Sequence, residues 1–469
     1  MKITAYSNKI SAAPGEKIDF MVNCERKQFE VDFVKLICGD LNPDGPGYKE
    51  KVIKSSAAGK YKGRKQTIHA GSYGKIERRD CFNHLESFSA QAFIWPTTPK
   101  KGVQTIIGNW SQKENIGFNF GLAEKNKGIY LQVGLGKKGV WELHSGKPVL
   151  PNEWYFIVVS YDSKTRIATV KQEPLHSHVG IADQASISKK LHGTPLLEVK
   201  EFPLTIGALC QSKKGNQLIC SQHFNGKIDS PAITSTPLSD REQEMLKRSG
   251  PDLNKIESLI AKWDFSRDIS RISITDVSAN RLDGVVVNMP TRAMTGWNWS
   301  GDELQWQKAP EQYGAIHFHD DDVHDAGWDI DFSLTIPKSF KSGLYAARLR
   351  CGLSLDEEDY VPFAVLPPRG KASAKICFLL PTASYMAYAN EHMGTDVPVA
   401  QLLGGQLVEH ERQDLFRNEH REYGASCYDH HSDGSGVAYS SRLRPILNMR
   451  PKYRSWLGGS GSSLWQFNA

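Results

Sequence analysis

The sequence holds no Cys-x-x-Cys pair. Its eight cysteines (Cys24, Cys38, Cys81, Cys210, Cys220, Cys351, Cys377 and Cys427) are spread over 469 residues, and several lie inside apolar runs such as Leu36-Ile37-Cys38. This spacing argues against a structural zinc site of the paired-thiolate kind. It reads instead as free buried thiols in a reducing compartment. Long apolar runs are missing too: nothing approaches the ~20 residues a membrane-crossing helix needs. Residues 1–7 lack the apolar core of a signal peptide. The expected location is therefore the cytoplasm, with no membrane partner. Positive charge is not concentrated anywhere. The net charge of +6 comes from scattered residues such as Lys51, Lys54, Lys137 and Lys138. Without a basic stripe interleaved with aromatics, no nucleic-acid partner is expected.

What is present is ordinary for a globular chain: 39% hydrophobic and 23% charged residues. At a soft prior of ~150 residues per domain, the length suggests about three domains. Apolar–polar alternation over 17–22 and 31–37 predicts half-buried strands, after a turn at Pro14-Gly15. A long turn is expected over 39–47. Short apolar segments at 91–95, 104–107, 129–133 and 154–160 predict an all-β unit over 85–240. A capped helical stretch closes that unit at 238–246. The stretches Asn152 to Phe156 and Phe224 to Asp229 resemble those of laminin-G or concanavalin A-like jelly rolls. Residues 241–310 read as an irregular, Trp-rich connection. Strands are expected again at 332–336, 342–350 and 360–366, and their alternation resembles the last strands of an immunoglobulin-like sandwich. The opening strands are too few to close a sandwich alone. The sequence therefore predicts one discontinuous sandwich, 1–80 plus 311–367, with the jelly roll inserted. Pro367-Pro368-Arg369-Gly370 is the linker out of it.

Residues 371–469 read as the start of an α/β domain. Ile376-Cys377-Phe378-Leu379-Leu380 is a short apolar run stopped by Pro381, the pattern of a buried parallel strand. Ser384, Tyr385, Tyr388, Asn390 and His392 follow it, where open α/β sheets place ligands. A helical stretch is expected near 399–407. Tyr428 lies in a second polar loop, beside Asp429, His430 and His431. A phenolate is a hard oxygen donor, and a strongly Lewis-acidic cation holds tyrosine ionised far below its usual pKa. Ferric iron suits such donors. From spacing alone, however, two tyrosines near strand ends are more often packed aromatics. A separate cluster, His317, His319, Asp320, Asp321, Asp322, His324 and Asp325, has the composition of a divalent-metal site. In a strand, His317 and His319 share a face. The competing reading is a polar turn whose aspartates bond loop N–H groups.

Several long motifs then point one way. Residues 380–390, 428–437 and 441–451, with 11–22, 39–47 and 318–322, resemble the large subunit of the N,N-dimethylformamidase family over the whole length. The resemblance implies an amidohydrolase that cleaves a small amide C–N bond at a mononuclear Fe3+ centre on a flavodoxin-like or amidotransferase-like domain. It implies Tyr388 and Tyr428 as metal ligands, and Ser384 and Asn390 as residues lining the substrate pocket. A glutamate would be the third ligand, expected beyond residue 469, because no His-Pro-Glu follows Tyr428 here. Glu391 or Asp429 could stand in for it, though both lie close to a ligand in sequence. It also implies a small partner subunit and association of large subunits. In this reading the chain alone is inactive, no catalytic acid or base is assigned, and the His317–Asp325 cluster is structural. The alternative is a carbohydrate-binding or adhesion protein built from two β-sandwiches.

Overall fold

The computed structural model describes residues 1–39, 41, 44–77, 82, 85–214, 217–247, 255–396 and 410–453. The helical stretch expected near 399–407 and the position of Cys81 lie outside the described residues. The chain forms two compact units, one of residues 1–70 and 323–469 and the other of residues 71–322.

The first unit is built from both ends of the described chain. Ile3–Ser7, Lys17–Cys24 and Ile330–Thr335 form one antiparallel sheet. In the second sheet, Gly343–Arg350 lies between Gln28–Cys38 and Glu358–Val365. Period-two alternation sends Phe29, Val31 and Phe33 to the inner face of their strand. They meet Phe20, Phe332 and Phe363 from the other strands in one core. Phe20 stacks on Phe332 with ring centroids 4.8 Å apart. The outer face of the second sheet is also apolar. Val34, Leu36, Ala346 and Tyr360 pack there against Tyr385, Ala389, Ile446 and Met449. Residues 382–396 and 410–453 are thus laid on the sandwich as a third layer.

That layer departs from expectation. Within 371–453 the described residues form short helices, Thr382–Ala387, Met393–Asp396 and Arg412–Glu419, and no strand longer than a single bridge. The run 376–380 is not a buried strand: Ile376, Phe378 and Leu379 are 87%, 72% and 88% exposed. A parallel strand exists only with neighbours to take its N–H and C=O groups. Among the described residues no strand lies beside it.

The second unit is an antiparallel assembly in which sixteen described strands form one connected sheet and the hairpin Leu209–Lys214/Gln217–Ser221 a second, two-stranded one. Phe88, Ala90, Ala92 and Ile94 alternate inward from Phe88–Pro96. They pack with Phe118, Phe120, Leu131, Ile157, Val159 and Trp263 in the largest core of the chain. Residues 259–294, expected to be irregular, supply four short strands, Leu259–Asp264, Ser273–Asp276, Gly284–Val287 and Thr291–Met294. Each is only four to six residues long, too short for a periodic signal to separate it from loop. The capped helix forms at Asp240–Lys247, where Ser239 and Glu242 exchange backbone and side-chain hydrogen bonds.

The reading of all cysteines as free thiols needs correction. Cys210 and Cys220 are direct cross-strand partners in the hairpin Leu209–Lys214/Gln217–Ser221 and are joined as a disulfide. Antiparallel pairing brings opposed Cβ atoms close enough for the bond to close. Cys24, Cys38, Cys351, Cys377 and Cys427 are free. Of these Cys24 is buried, whereas Cys377 lies exposed in the unpaired 376–380 run.

Candidate functional site

The Tyr388 and Tyr428 loops meet within the first unit. Tyr388 follows the helix Thr382–Ala387 as its cap, and its N–H donates to the Ser384 carbonyl at 3.1 Å. Ser384 therefore sits one helical turn before Tyr388. The two loops are tied directly: the Cys427 N–H donates to the Ala387 carbonyl at 2.9 Å. The Tyr388 and Tyr428 rings stack, with centroids 4.2 Å apart and planes 20° from parallel. Their hydroxyls share a hydrogen bond. That bond to Tyr428, with desolvation and the charge of Glu391, raises the Tyr388 pKa above its ordinary value. Tyr428 is half exposed.

Two phenol oxygens in hydrogen-bonding contact can both face one cation, so the donor set fits a hard metal ion. Glu391 is 1% exposed, and its charge acts on Tyr388. Its Oε2 accepts the Met393 N–H at 2.9 Å. Asp429 is committed elsewhere. It accepts the His392 N–H at 2.9 Å and the Ser426 N–H at 2.8 Å, and His392 Nδ1 lies 3.3 Å from its Oδ2. Burial pushes its pKa up, but these hydrogen bonds outweigh burial and hold it below the usual carboxylate value.

Asn390, expected in the substrate pocket, has a different task. It is fully buried in the left-handed region, at φ 60°, which asparagine tolerates better than most residues. Its amide donates to the carbonyls of Tyr423 and Pro445 at 3.1 and 2.8 Å and accepts the Leu447 N–H at 2.7 Å. Its own N–H donates to Asn448 Oδ1, and Asn448 Nδ2 donates to the Tyr388 carbonyl. The two asparagines lock the Tyr388 loop to segment 445–448. Arg444, 2% exposed, adds to the lock by donating to the carbonyls of Tyr423, Ala425 and Ser441. Burial pulls its pKa down to about 10. Gly424 faces it so closely that a Cβ there would stand 2.0 Å from Arg444 Nη1.

The acidic–histidine cluster is divided between the two units. In the second, His317 and His319 do share a face, with ring centroids 4.2 Å apart. His319 Nδ1 lies 3.1 Å from Asp322 Oδ2, and Asp320 pairs with Lys101. In the first, Asp325 accepts from the Tyr6 hydroxyl and the Gly327 N–H.

The outer face of the jelly-roll strands carries aromatics of the type that stack on sugars, but the chain's own residues occupy them. Trp297 stacks on Phe93 at 4.2 Å. Lys227, 8% exposed, places Nζ 4.4 Å from the Trp95 ring and 3.0 Å from Thr295 Oγ1. Burial lowers its pKa to about 8.

The sequence reading passed over Arg417 and Gln413, both buried on the helix Arg412–Glu419. The available signal was the Glu411–Asp414 capping pair that opens the helix.

Comparison with known proteins bears on both units. Residues 69–242 match the concanavalin A-like lectin/glucanases superfamily. Residues 291–466 match the N,N-dimethylformamidase beta subunit-like C-terminal family. The N,N-dimethylformamidase beta subunit of Paracoccus aminophilus is 36% identical over all of this chain and 62% of its own length. That of Alcaligenes sp is 35% identical, again over all of this chain and 62% of its own. The chain thus spans just under two thirds of these relatives. Among solved structures, the CBM40 of the Ruminococcus gnavus IT-sialidase shares 14% identity with a TM-score of 0.29, over 39% of this chain and 98% of that one. Likeness at that level says nothing about ligand. Along its whole length, the chain is similar to the N,N-dimethylformamidase beta subunits.

Proposed function

We propose that the chain carries the tyrosine half of a ferric-iron site in an amidohydrolase that cleaves the C–N bond of a small amide. The observation that carries this reading is the shared hydrogen bond and 4.2 Å stacking of Tyr388 and Tyr428, brought together from loops 40 residues apart in sequence. Tyr388 and Tyr428 would hold the metal, with a carboxylate as third ligand. A bound ferric ion would supply Lewis acidity toward the amide carbonyl and toward water. Ser384, one turn from Tyr388, lines the substrate side. Hydrolysis also needs a proton at the leaving nitrogen. Glu391 is suited to hold it, since it is the carboxylate whose charge reaches Tyr388. His392 and Asp429 keep the two loops in register. The relatives are named as beta subunits, so assembly with a second kind of subunit is part of the proposal.

The test is spectroscopic. Ferric iron added to the protein is expected to give a broad visible tyrosinate band. Tyr388→Phe or Tyr428→Phe should weaken it, and the double variant should abolish it. A band that survives the double variant would sink the assignment.

A further inference from the structure

Three arginines meet at a small pocket within the first unit. The pocket has a volume of about 30 Å³ and lies between segments 6–10, 361–362 and 442–450. That is room for about two waters, or for one ion of similar size. Ile10, Val361, Ile446 and Met449 form an apolar wall, and Arg442, Arg444 and Arg450 supply the charge. Among the described residues that line it, none is acidic. The two lining hydroxyls are turned elsewhere: Tyr6 donates to Asp325 Oδ1 and Ser7 to the Lys9 carbonyl.

The three positive charges are met differently. Arg450 is neutralised by Asp359, with Nε 2.8 Å from Oδ1. Arg444, 2% exposed, forms no ion pair among the described residues, and its nitrogens donate to the carbonyls of Tyr423, Ala425, Ala389 and Ser441. Carbonyls satisfy its donors but leave a buried positive charge without a counter-ion, which is costly. Burial lowers its pKa only to about 10, so the charge persists at neutral pH. The carboxylate whose charge reaches it, Asp429, is already bonded by His392 and the Ser426 N–H. Arg442 stands exposed. Its Nε donates to the Asn8 carbonyl at 3.1 Å, which fixes the guanidinium, while Nη1 and Nη2 hold no hydrogen bond among the described residues.

An uncompensated buried cation, beside a second guanidinium with two parallel N–H groups free, complements a small planar anion. A carboxylate accepts such a fork through both oxygens, which a spherical halide cannot do. The volume sets the size: formate fits, and a longer acid such as butyrate overfills the space.

We infer that Arg442 and Arg444 form a binding site for a formate-sized carboxylate. Arg442 Nη1 and Nη2 donate to its two oxygens, the buried charge of Arg444 attracts it, and its C–H faces the apolar wall. Arg444 also holds the carbonyl of Ala425, three residues before Tyr428, so a bound carboxylate supplies the counter-charge for the residue that anchors this loop. Formate is the acid that hydrolysis of a formamide releases. The link from the site to a reaction product, unlike the site itself, rests on the reading of the chain as an amidohydrolase.

The test titrates the full chain, without iron, with sodium formate at constant ionic strength set by sodium gluconate, following the formate proton by ligand-observed NMR. Saturable binding is expected. Arg442→Gln should weaken it about tenfold or more, the value of a charge-assisted hydrogen bond. Arg442→Lys, which keeps the charge and loses the fork, should weaken it too. Sodium chloride at equal concentration should displace formate only weakly, and sodium butyrate should not displace it. Thermal melts establish that the variants are folded; if Arg442→Gln is not, Arg442→Lys decides. No saturable binding to the wild type, undiminished binding to the folded variant, or ready displacement by chloride or butyrate would each overturn the site. The readout needs neither iron nor turnover. Absence of formate binding therefore leaves the tyrosine reading standing, and absence of a tyrosinate band leaves the carboxylate site standing.

Discussion

The Asp359–Arg450 pair offers a quantitative test of how the third layer is fastened to the sandwich. Both side chains are nearly inaccessible, at 1% and 5% exposure. Arg450 Nε donates to Asp359 Oδ1 at 2.8 Å and Nη2 to Oδ2 at 3.3 Å. Nη2 also donates to the Ala5 carbonyl at 2.7 Å, and the Ala5 N–H returns to Asp359 Oδ2 at 2.9 Å. Nη1 closes the local turn on the Ile446 carbonyl at 2.8 Å. Removing the carboxylate by Asp359→Ala leaves a buried guanidinium without its counter-ion and the Ala5 N–H without its acceptor. Breaking a buried pair from one side costs about 3–5 kcal/mol. That is a large share of the ~5–15 kcal/mol that holds a typical domain. Arg450→Met should cost a similar amount. The double variant Asp359→Leu/Arg450→Met should cost well under the sum, because it leaves neither charge stranded. The assay is urea unfolding of the four proteins, with hydrogen exchange read on peptides covering 3–7 and 439–453 so that the first unit is followed by itself. Strictly additive losses, or single-variant losses below ~1 kcal/mol, would show that the pair does not fasten the layer.

Three further outcomes follow from the same geometry. Lys227 and Lys262 both titrate near 8 because burial disfavours their charge. Between pH 8 and the unfolded value of about 10.5, the unfolded chain binds more protons than the folded one, so stability must rise with pH, by at most ~1.4 kcal/mol per unit for each lysine. Urea midpoints at pH 7.5 and 9.5 check this, and Lys227→Met should flatten part of the rise; a fall with pH would refute the assignment. Asn390→Ala strands two carbonyls and one N–H and keeps a left-handed φ, for a loss of ~3 kcal/mol by chemical unfolding. Asn390→Gly should recover about 1 kcal/mol of that, because glycine accepts the backbone angle. Gly424→Ala should destabilise the first unit by several kcal/mol, since its methyl would have to displace the buried Arg444 guanidinium; a melting temperature like the wild type's would show that Arg444 can yield.

The physical reach of each sequence signal explains what could be foreseen. Alternation along 17–22 and 31–37, answered by similar strands after residue 330, made those strands legible, because period-two burial is local and repeats in every strand, whereas the bounds were not: residues 71–80 and 311–322, expected in the sandwich, belong to the second unit. The jelly roll was legible for the same reason. Its short strands over 259–294 were not, because four residues carry too little period to distinguish pairing from loop. Cys210 and Cys220 read as free thiols because only the register of the hairpin brings them opposite each other. The run 376–380 shows the converse. It has the composition of a parallel strand, but composition alone cannot supply the neighbours that such a strand requires, and here it stands exposed. At the site, the pairing of Tyr388 with Tyr428 depends on the backbone link from Cys427 to Ala387, which no spacing rule contains. The role of Asn390 was hidden likewise, since a polar residue in a polar loop reads as ligand-facing until its three hydrogen bonds to backbone groups are seen. Sequence patterns therefore identify which residues can do chemistry, and the tertiary hydrogen bonds decide which of them are spent on holding the others in place.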